Sequence, residues 1–583
     1  MDPEHQLHDA DDEEKWVYDS SLDHKGRVPL RSSTGAWKAA LFVVVMHQDL
    51  KTAVKNVNYW SGVTTLMPLL GAFLADAYFG RFSMILISSV VYLLGLGLLT
   101  MSEVIPSLKP CDNTDSCHEP KKLHGIVFFL ALYLISFGTG GHKPSLESFG
   151  ADQFDDNHAQ ERMKKMSYFN WWNFALCSGL FLGVTVIVYV QDEVSWAIAD
   201  MVLTCSMALS IVLFLLGKRF YRYRVPEGSP LTPMLQVLVA AISKRGLPNP
   251  SNPGNLYEIP NSENTKGSRL LCHTSKLSFL DKAAILEEEE YVEENEVKQS
   301  IKKKRSPWRL ATVTKVEELK LVINLIPIWL STLAFGLCVA QATTFFIKQA
   351  ATMDRKMGNF VFPPASIYSI AAIAMLISVA IYDRIIVPIL RKVTGNERGI
   401  SILQRIGIGM VLAMVSMIIS ALVERKRLKV VDREILNGPA SMVGPVSMSA
   451  FWLAPQLITI GIGDGFAIVG LQEYFYDQVP DKMRSLGIAF YLSVLGASNF
   501  LSSFLITIID HLTERGGRKS WFGKDLNHSR LDKFYWLLAA INGVNLLVYM
   551  YLARRYSYKN VEKRVAVTAD SSEDERHGTK ETA

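Results

Sequence analysis

The sequence has little of what builds a soluble catalytic centre. Its 583 residues include six cysteines, none at a metal-ligating spacing. The loops carry no paired catalytic carboxylates, nucleophile elbow or phosphate-binding loop, so no enzyme is expected and no cofactor or metal is implied. The run Gly461-Ile-Gly-Asp464-Gly465 is followed by neither a strand nor a Lys-Ser/Thr pair and reads as helix packing. Excess charge is also scarce: a net +5, scattered through loops, does not describe a nucleic-acid binder. The stretch from Met1 to Lys15 is acidic and lacks the basic start and cleavage site of a signal peptide, so insertion would rely on internal helices. Cys111 and Cys117 share one polar loop, where a small disulfide and two free thiols are equally open.

Long apolar blocks, by contrast, are abundant. The chain is 49% hydrophobic yet 20% charged, so its apolar residues are concentrated rather than spread. Runs such as Met84 to Leu99, Val202 to Leu216 and Leu537 to Leu552 hold almost no formal charge and extend toward the roughly 20 residues that cross a bilayer as a helix. An unpaired backbone group inside a bilayer costs several kcal/mol, and unbroken runs select helices over barrel strands. Eleven full spans are expected, near residues 58–80, 82–105, 124–145, 169–190, 195–216, 317–347, 363–390, 399–423, 447–475, 485–510 and 531–554. The fold class is all-α, a polytopic membrane helix bundle.

Six regions follow: an N-terminal tail (1–35), a short apolar segment (36–46), a first bundle (58–216), a charged central loop (217–315), a six-helix bundle (316–555) and a polar tail (556–583). The segment Ala36 to Met46 has about half the length needed to span. Lys218, Arg219, Arg222 and Arg224 open the central loop and Lys302 to Arg305 close it, which assigns it to the cytoplasm with Arg554 and Arg555. Leu286 to Lys304 reads equally as a solvated helix of mixed charge or as a flexible linker. Asn527-His-Ser529 falls on the other side and matches a glycan acceptor sequence. Eleven spans leave the side of the N-terminus open.

Charges within the apolar blocks point to mechanism. Gly71 to Arg81 ends one span and begins the next with Asp76, a tight turn and Arg81; Tyr382-Asp383-Arg384, followed by Arg391 and Lys392, is its echo in the second half. Such a carboxylate can pair across an interface with a cation or a helix N-terminus. Lys143, in Gly138-Thr-Gly-Gly-His-Lys-Pro144, and Glu473, near the end of another span, are intramembrane ionisable groups, which by default mark functional sites. A lysine in one half and a glutamate in the other could hold the carboxylate and amine of a zwitterion, or move a proton. A snorkelling lysine and a structural ion-pair glutamate are the bland alternatives.

Several segments in this order resemble known families. Gly71 to Arg81 resembles the cytoplasmic gate motif of the major facilitator superfamily. Together with Gly140 to Pro144, Phe149 to Asp155 and Glu473 to Ser485, it resembles the signature of the proton-dependent oligopeptide transporter family. His273 to Ile285 and Pro307 to Lys320 resemble the central loop of its plant branch, the nitrate and peptide transporter family. The resemblance runs from about Trp16 to Arg555 and implies a major facilitator fold of twelve helices. It implies proton-coupled symport of a peptide, nitrate or another small organic solute, with the bilayer, the solute and protons as partners, in the plasma or vacuolar membrane. It makes Lys143 the substrate-carboxylate or coupling lysine, Glu473 the partner of the substrate amine, and Asn173 and Gln341 polar cavity contacts. Asp76, Arg81, Asp383 and Arg384 would form gating salt bridges.

Two departures qualify that expectation. Where high-affinity nitrate binders of the family place a histidine in the seventh helix, this chain has Val339. The first-helix Glu-x-x-Glu-Arg/Lys motif is missing: Ala36 to Met46 resembles that helix's start and His47 to Lys55 the loop after it, which marks loss of an internal segment. A transport-incompetent or regulatory isoform is therefore the alternative to a symporter. A receptor or anchoring protein is a weaker third reading, because no soluble ligand-binding domain is present.

Overall fold

An apolar chain that must satisfy its own N–H and C=O groups folds as helix. The computed structural model describes residues 50–105, 122–154, 159–223, 226, 228–229, 231–248, 256–258, 271–286, 306–358, 360–395, 399–437, 446–514, 520–523 and 526–558. The segment 36–46, the loop with Cys111 and Cys117 and the mixed-charge stretch after Leu286 lie outside them.

The first series comprises α1 (Leu50–Leu74), α2 (Arg81–Val104), α3 (Lys122–Ala151), α4 (Ala159–Leu182) and α5 (Trp196–Leu216). A short helix, α6 (Leu231–Ser243), follows. The second series comprises α7 (Val313–Ala342), α8 (Phe345–Thr352), α9 (Ser369–Ile381), α10 (Val387–Thr394), α11 (Ile402–Asn437), α12 (Ala454–Gln478), α13 (Arg484–Glu514) and α14 (Leu531–Arg555). α7 with α8, and α9 with α10, each make one long stretch, so eleven described stretches are long and apolar enough to cross a membrane. The chain is a polytopic membrane helix bundle.

Some boundaries differ from the hydropathy reading, for electrostatic reasons. α11 runs to Asn437 rather than stopping near residue 423, because Glu424 and Arg427, one turn apart, neutralise each other at 2.7 Å with both side chains fully buried. α4 starts at Ala159, where Lys165 finds Asp477 at 3.8 Å and lies over the Tyr476 ring.

The chain divides into two compact units. The first contains residues 1–229 and 325–556; in it α1 packs on α3 and α13, α2 on α3 and α5, α4 on α9 and α12, and α11 on α12 and α14. Small residues allow a close crossing of α1 and α3. A side chain at Gly71 would strike the backbone of Gly140, and a Cβ at Gly140 would lie 2.8 Å from that of Met67.

The second unit contains residues 230–324 and 557–583. α6 packs against the 3-10 turn Ser278–Ala284. His273, Asp281 and Glu317 have the chemistry of metal ligands, but the buried Lys320 ammonium already lies 2.7 Å from Asp281 and 2.8 Å from Glu317. That cluster is a structural clasp.

Candidate functional site

One cluster of polar groups in the first unit lies where the two helix series meet, at the end that the positive-inside tendency assigns to the cytoplasm. α1 ends in a π turn, Ala75–Phe79, and Gly80 (φ 75°) turns the chain so that Arg81 opens α2. The Asp76 carboxylate accepts from Arg81 Nε at 3.1 Å and, with its other oxygen, from the backbone N–H of Leu486 at 3.1 Å. Leu486 lies in the first turn of α13, where the N–H groups have no intrahelical partner and the helix dipole favours an anion. Asp76 therefore joins one series to the N-terminus of a helix of the other.

Neighbouring contacts extend this junction. Arg81 also binds Asp152, whose carboxylate accepts from Tyr476 Oη at 3.2 Å and lies 3.7 Å from Arg484. The hydroxyls of Ser148 and Ser485 are 2.9 Å apart. The second-half motif points back to the first series: Asp383 accepts from Asn170 Nδ2 at 2.7 Å and Ser167 Oγ at 3.0 Å. Arg384 lies over the Trp171 ring, 5.2 Å from its centroid.

Glu473 lies 3.8 Å from Arg405, a buried guanidinium on α11. Arg405 also donates to Asn170 Oδ1 at 2.9 Å and stacks over Tyr382, 4.1 Å from the ring centroid. Asn170, Tyr382, Asp383, Arg391, Arg405 and Glu473 border a cavity of about 30 Å³, room for roughly two waters. Asn173 donates to Gln472, which donates in turn to Glu147. Gln341 donates to Leu337 O at 2.7 Å and to Ser502 Oγ at 3.3 Å, and Ser502 also receives Asn58 of α1 at 3.5 Å.

Lys143 stands apart. It keeps an exposed side chain between buried Gly141 and Pro144, and forms no hydrogen bond or ion pair among the described residues. Pro144 has no N–H, so the carbonyl of Gly140 lacks its helical partner in the same turn. The structure thus places the two expected charges in opposite series without pairing them: Glu473 has Arg405.

Sequence reasoning missed Arg405, Gln472, Asp152 and Glu147. For Glu147 a signal was present, since it follows Lys143 by four residues, one helical turn along the same face. Asp464, read as part of a packing run, is a buried carboxylate with one oxygen lacking a hydrogen bond.

Comparison with known proteins decides the family. A model of the POT family matches residues 82–522. Protein NRT1/PTR FAMILY 5.7 of Arabidopsis thaliana is 56% identical over 589 aligned residues, covering 97% of this chain and 95% of the relative. The chain belongs to the POT family. Protein NRT1/PTR FAMILY 5.6 of the same plant is equally similar, 56% identical across 95% of this chain and 96% of the relative. The fold matches that of the POT family transporter PepTSo, with a TM-score of 0.55 at 18% identity over 87% of this chain and 90% of that one. This POT chain is a membrane transporter. The 589-position alignment is longer than the 583-residue chain, so the first relative carries residues within the matched region that this chain does not. Matches running through both helix series lend no support to the reading of a transport-incompetent or regulatory isoform.

Proposed function

We propose that the protein is a proton-coupled symporter of a peptide or another small organic solute, acting in the plasma or vacuolar membrane. Its halves, residues 58–216 and 316–555, rock about a central site, and the contacts of Asp76, Ser148 and Asp383 across the two series support a form closed at the cytoplasmic end. The tail 1–35, the segment 36–46, the loop 217–315 and the tail 556–583 lie outside the moving bundles. One observation carries the reading: Lys143 offers an ammonium with no partner among the described residues inside an apolar span, where a charge costs several kcal/mol unless it serves a partner. Its ligand is the solute carboxylate. Glu473, held by Arg405, is the counterpart for the solute amine, and an incoming ammonium displaces the guanidinium at 3.8 Å. Asn173 and Gln341 orient the solute. Asp76, Arg81 and Asp383 hold the cytoplasmic gate, with Arg384 packed beside it. With Val339 in place of a histidine, nitrate is disfavoured as the solute.

The test is pH-gradient-driven uptake of labelled dipeptide, nitrate and a small solute panel into proteoliposomes, by this chain and by a version carrying a full first helix. Lys143→Ala and Glu473→Ala should abolish uptake of whichever solute is carried. Unchanged uptake in both would remove these residues from the site.

A further inference from the structure

We propose that Glu147 is the carboxylate through which proton binding controls the junction between the two helix series, with Lys143 as its counter-charge once the proton leaves. This rests on the reading that the junction is the gate of a transport path.

Glu147 is 3% exposed, on α3 of the first series, and its side chain accepts from the Gln472 amide of α12 in the second. Gln472, itself fully buried, accepts in turn from Asn173 of α4. The chain of donors runs one way, from Asn173 to Gln472 to Glu147, so an amide of one series is threaded between two side chains of the other. No guanidinium or ammonium hydrogen-bonds Glu147 among the described residues. A neutral carboxylic acid suits that place, accepting from Gln472 on one oxygen while carrying the proton on the other. A carboxylate there is a buried charge that meets only neutral donors among the described residues, the Gln472 amide and the nearby Trp172 indole of α4, which is costly.

The surroundings offer the ionised form no nearer relief. α4 brings Tyr168, whose hydroxyl donates to the Glu147 backbone carbonyl at 3.1 Å, and Lys165, which is turned to Asp477. α13 brings Tyr491, within electrostatic reach, and Arg484, engaged with Tyr476 and Asp152. α12 adds Glu473, paired with Arg405, and Tyr476. α2 adds Arg81, bound to Asp76 and Asp152, and the turn after α1 carries Asp76. On α3 itself, His142 and Lys143 precede it, and Lys143, one turn back, is a cation without a hydrogen bond or ion pair among the described residues. As the series part, water reaches Glu147 and takes its proton as hydronium: the O–H bond breaks, a new one forms to water, and the carboxylate left behind can face Lys143. Proton release and opening at the cytoplasmic end are thereby one event.

The experiment needs no identified solute. Spin labels on the two series at the cytoplasmic end of the purified full chain report closed and open populations across pH, and infrared difference spectra report carboxylic-acid carbonyls. In the native protein the closed-to-open ratio should fall as pH rises, by at most about tenfold per pH unit for one linked proton. Glu147→Gln should stay closed at all pH values and lose one carboxylic-acid band; Glu147→Asp should keep a pH response. A pH response in Glu147→Gln equal to that of the native chain, or an unchanged band, overturns the proposal. If Glu147→Gln does not fold, Gln472→Leu serves instead: it should shift the pH midpoint, and an unshifted midpoint counts against the proposal. Uptake of labelled dialanine separates the two levels. Gradient-driven uptake surviving in Glu147→Gln overturns this inference and leaves symport standing; a native chain inert to dialanine whose pH response still disappears in Glu147→Gln supports it without peptide symport.

Discussion

Replacing Asp76 by Asn changes one charge and almost no volume in the contact that joins the α1–α2 turn to the start of α13. The carboxylate holds two bonds of 3.1 Å, one from Arg81 and one from the Leu486 N–H. Arg81 retains Asp152, so the guanidinium is not orphaned. What is lost at the junction is the difference between a charged and a neutral acceptor for the Leu486 N–H. A hydrogen bond to a charged group contributes about 1.5–3 kcal/mol and a neutral one about 0.5–1.5. The net loss is therefore roughly 1–2 kcal/mol, a shift of about five- to thirtyfold in the closed-to-open ratio. Asp76 and Arg81 are less than 10% exposed, so salt should screen this little. Distance distributions between labels on the two series should broaden toward the open form in Asp76→Asn, and further in Asp76→Ala, which leaves no acceptor. Distributions that superimpose on the native chain in both variants would refute the reasoning.

Other expectations are equally specific. Arg427→Met strands Glu424 in a fully buried site, so the variant should lose about 3–5 kcal/mol of stability, whereas the double change with Glu424→Leu should recover most of it; thermal unfolding in detergent ranks the two. Gly140→Leu overfills the α1–α3 crossing and should cost at least about 1–3 kcal/mol by the same measurement, with a null result arguing that the crossing is loose. A double-mutant cycle on Ser148→Ala and Ser485→Ala should return a coupling of about 0.6 kcal/mol in the closed-to-open ratio. Asn527 accepts from Arg427 at 2.7 Å and the Ser529 hydroxyl is fully buried, so glycosidase treatment should leave the protein's mobility unchanged; a shift would show that this loop opens to the modifying enzyme.

The helices were legible because crossing a bilayer imposes a demand on every backbone group, and apolar blocks such as Met84 to Leu99 answer it locally. The hydropathy reading failed where charges cancel out of sight. Glu424 and Arg427 look like the end of a span until each is seen to bury the other. The Asp76–Arg81 contact was legible too, since the two residues sit five positions apart around a glycine turn. Their partners were not. Leu486, Arg405 and Gln472 meet Asp76, Asn170 and Glu147 across hundreds of residues, and a single sequence carries no record of such pairs. Glu147 was overlooked for another reason: the lysine one turn away drew the attention that an intramembrane carboxylate merits equally.

The Asp76 contact has an asymmetry that bears on how such a junction can vary. On one side stands a side chain, open to substitution; on the other stands the amide of residue 486, which every amino acid except proline supplies identically. Changes along the first turn of α13 can alter shape but leave that donor in place. The strength of this contact is thus set from one half alone, and a series of carboxylate, amide and aliphatic residues at position 76 amounts to a dial for it.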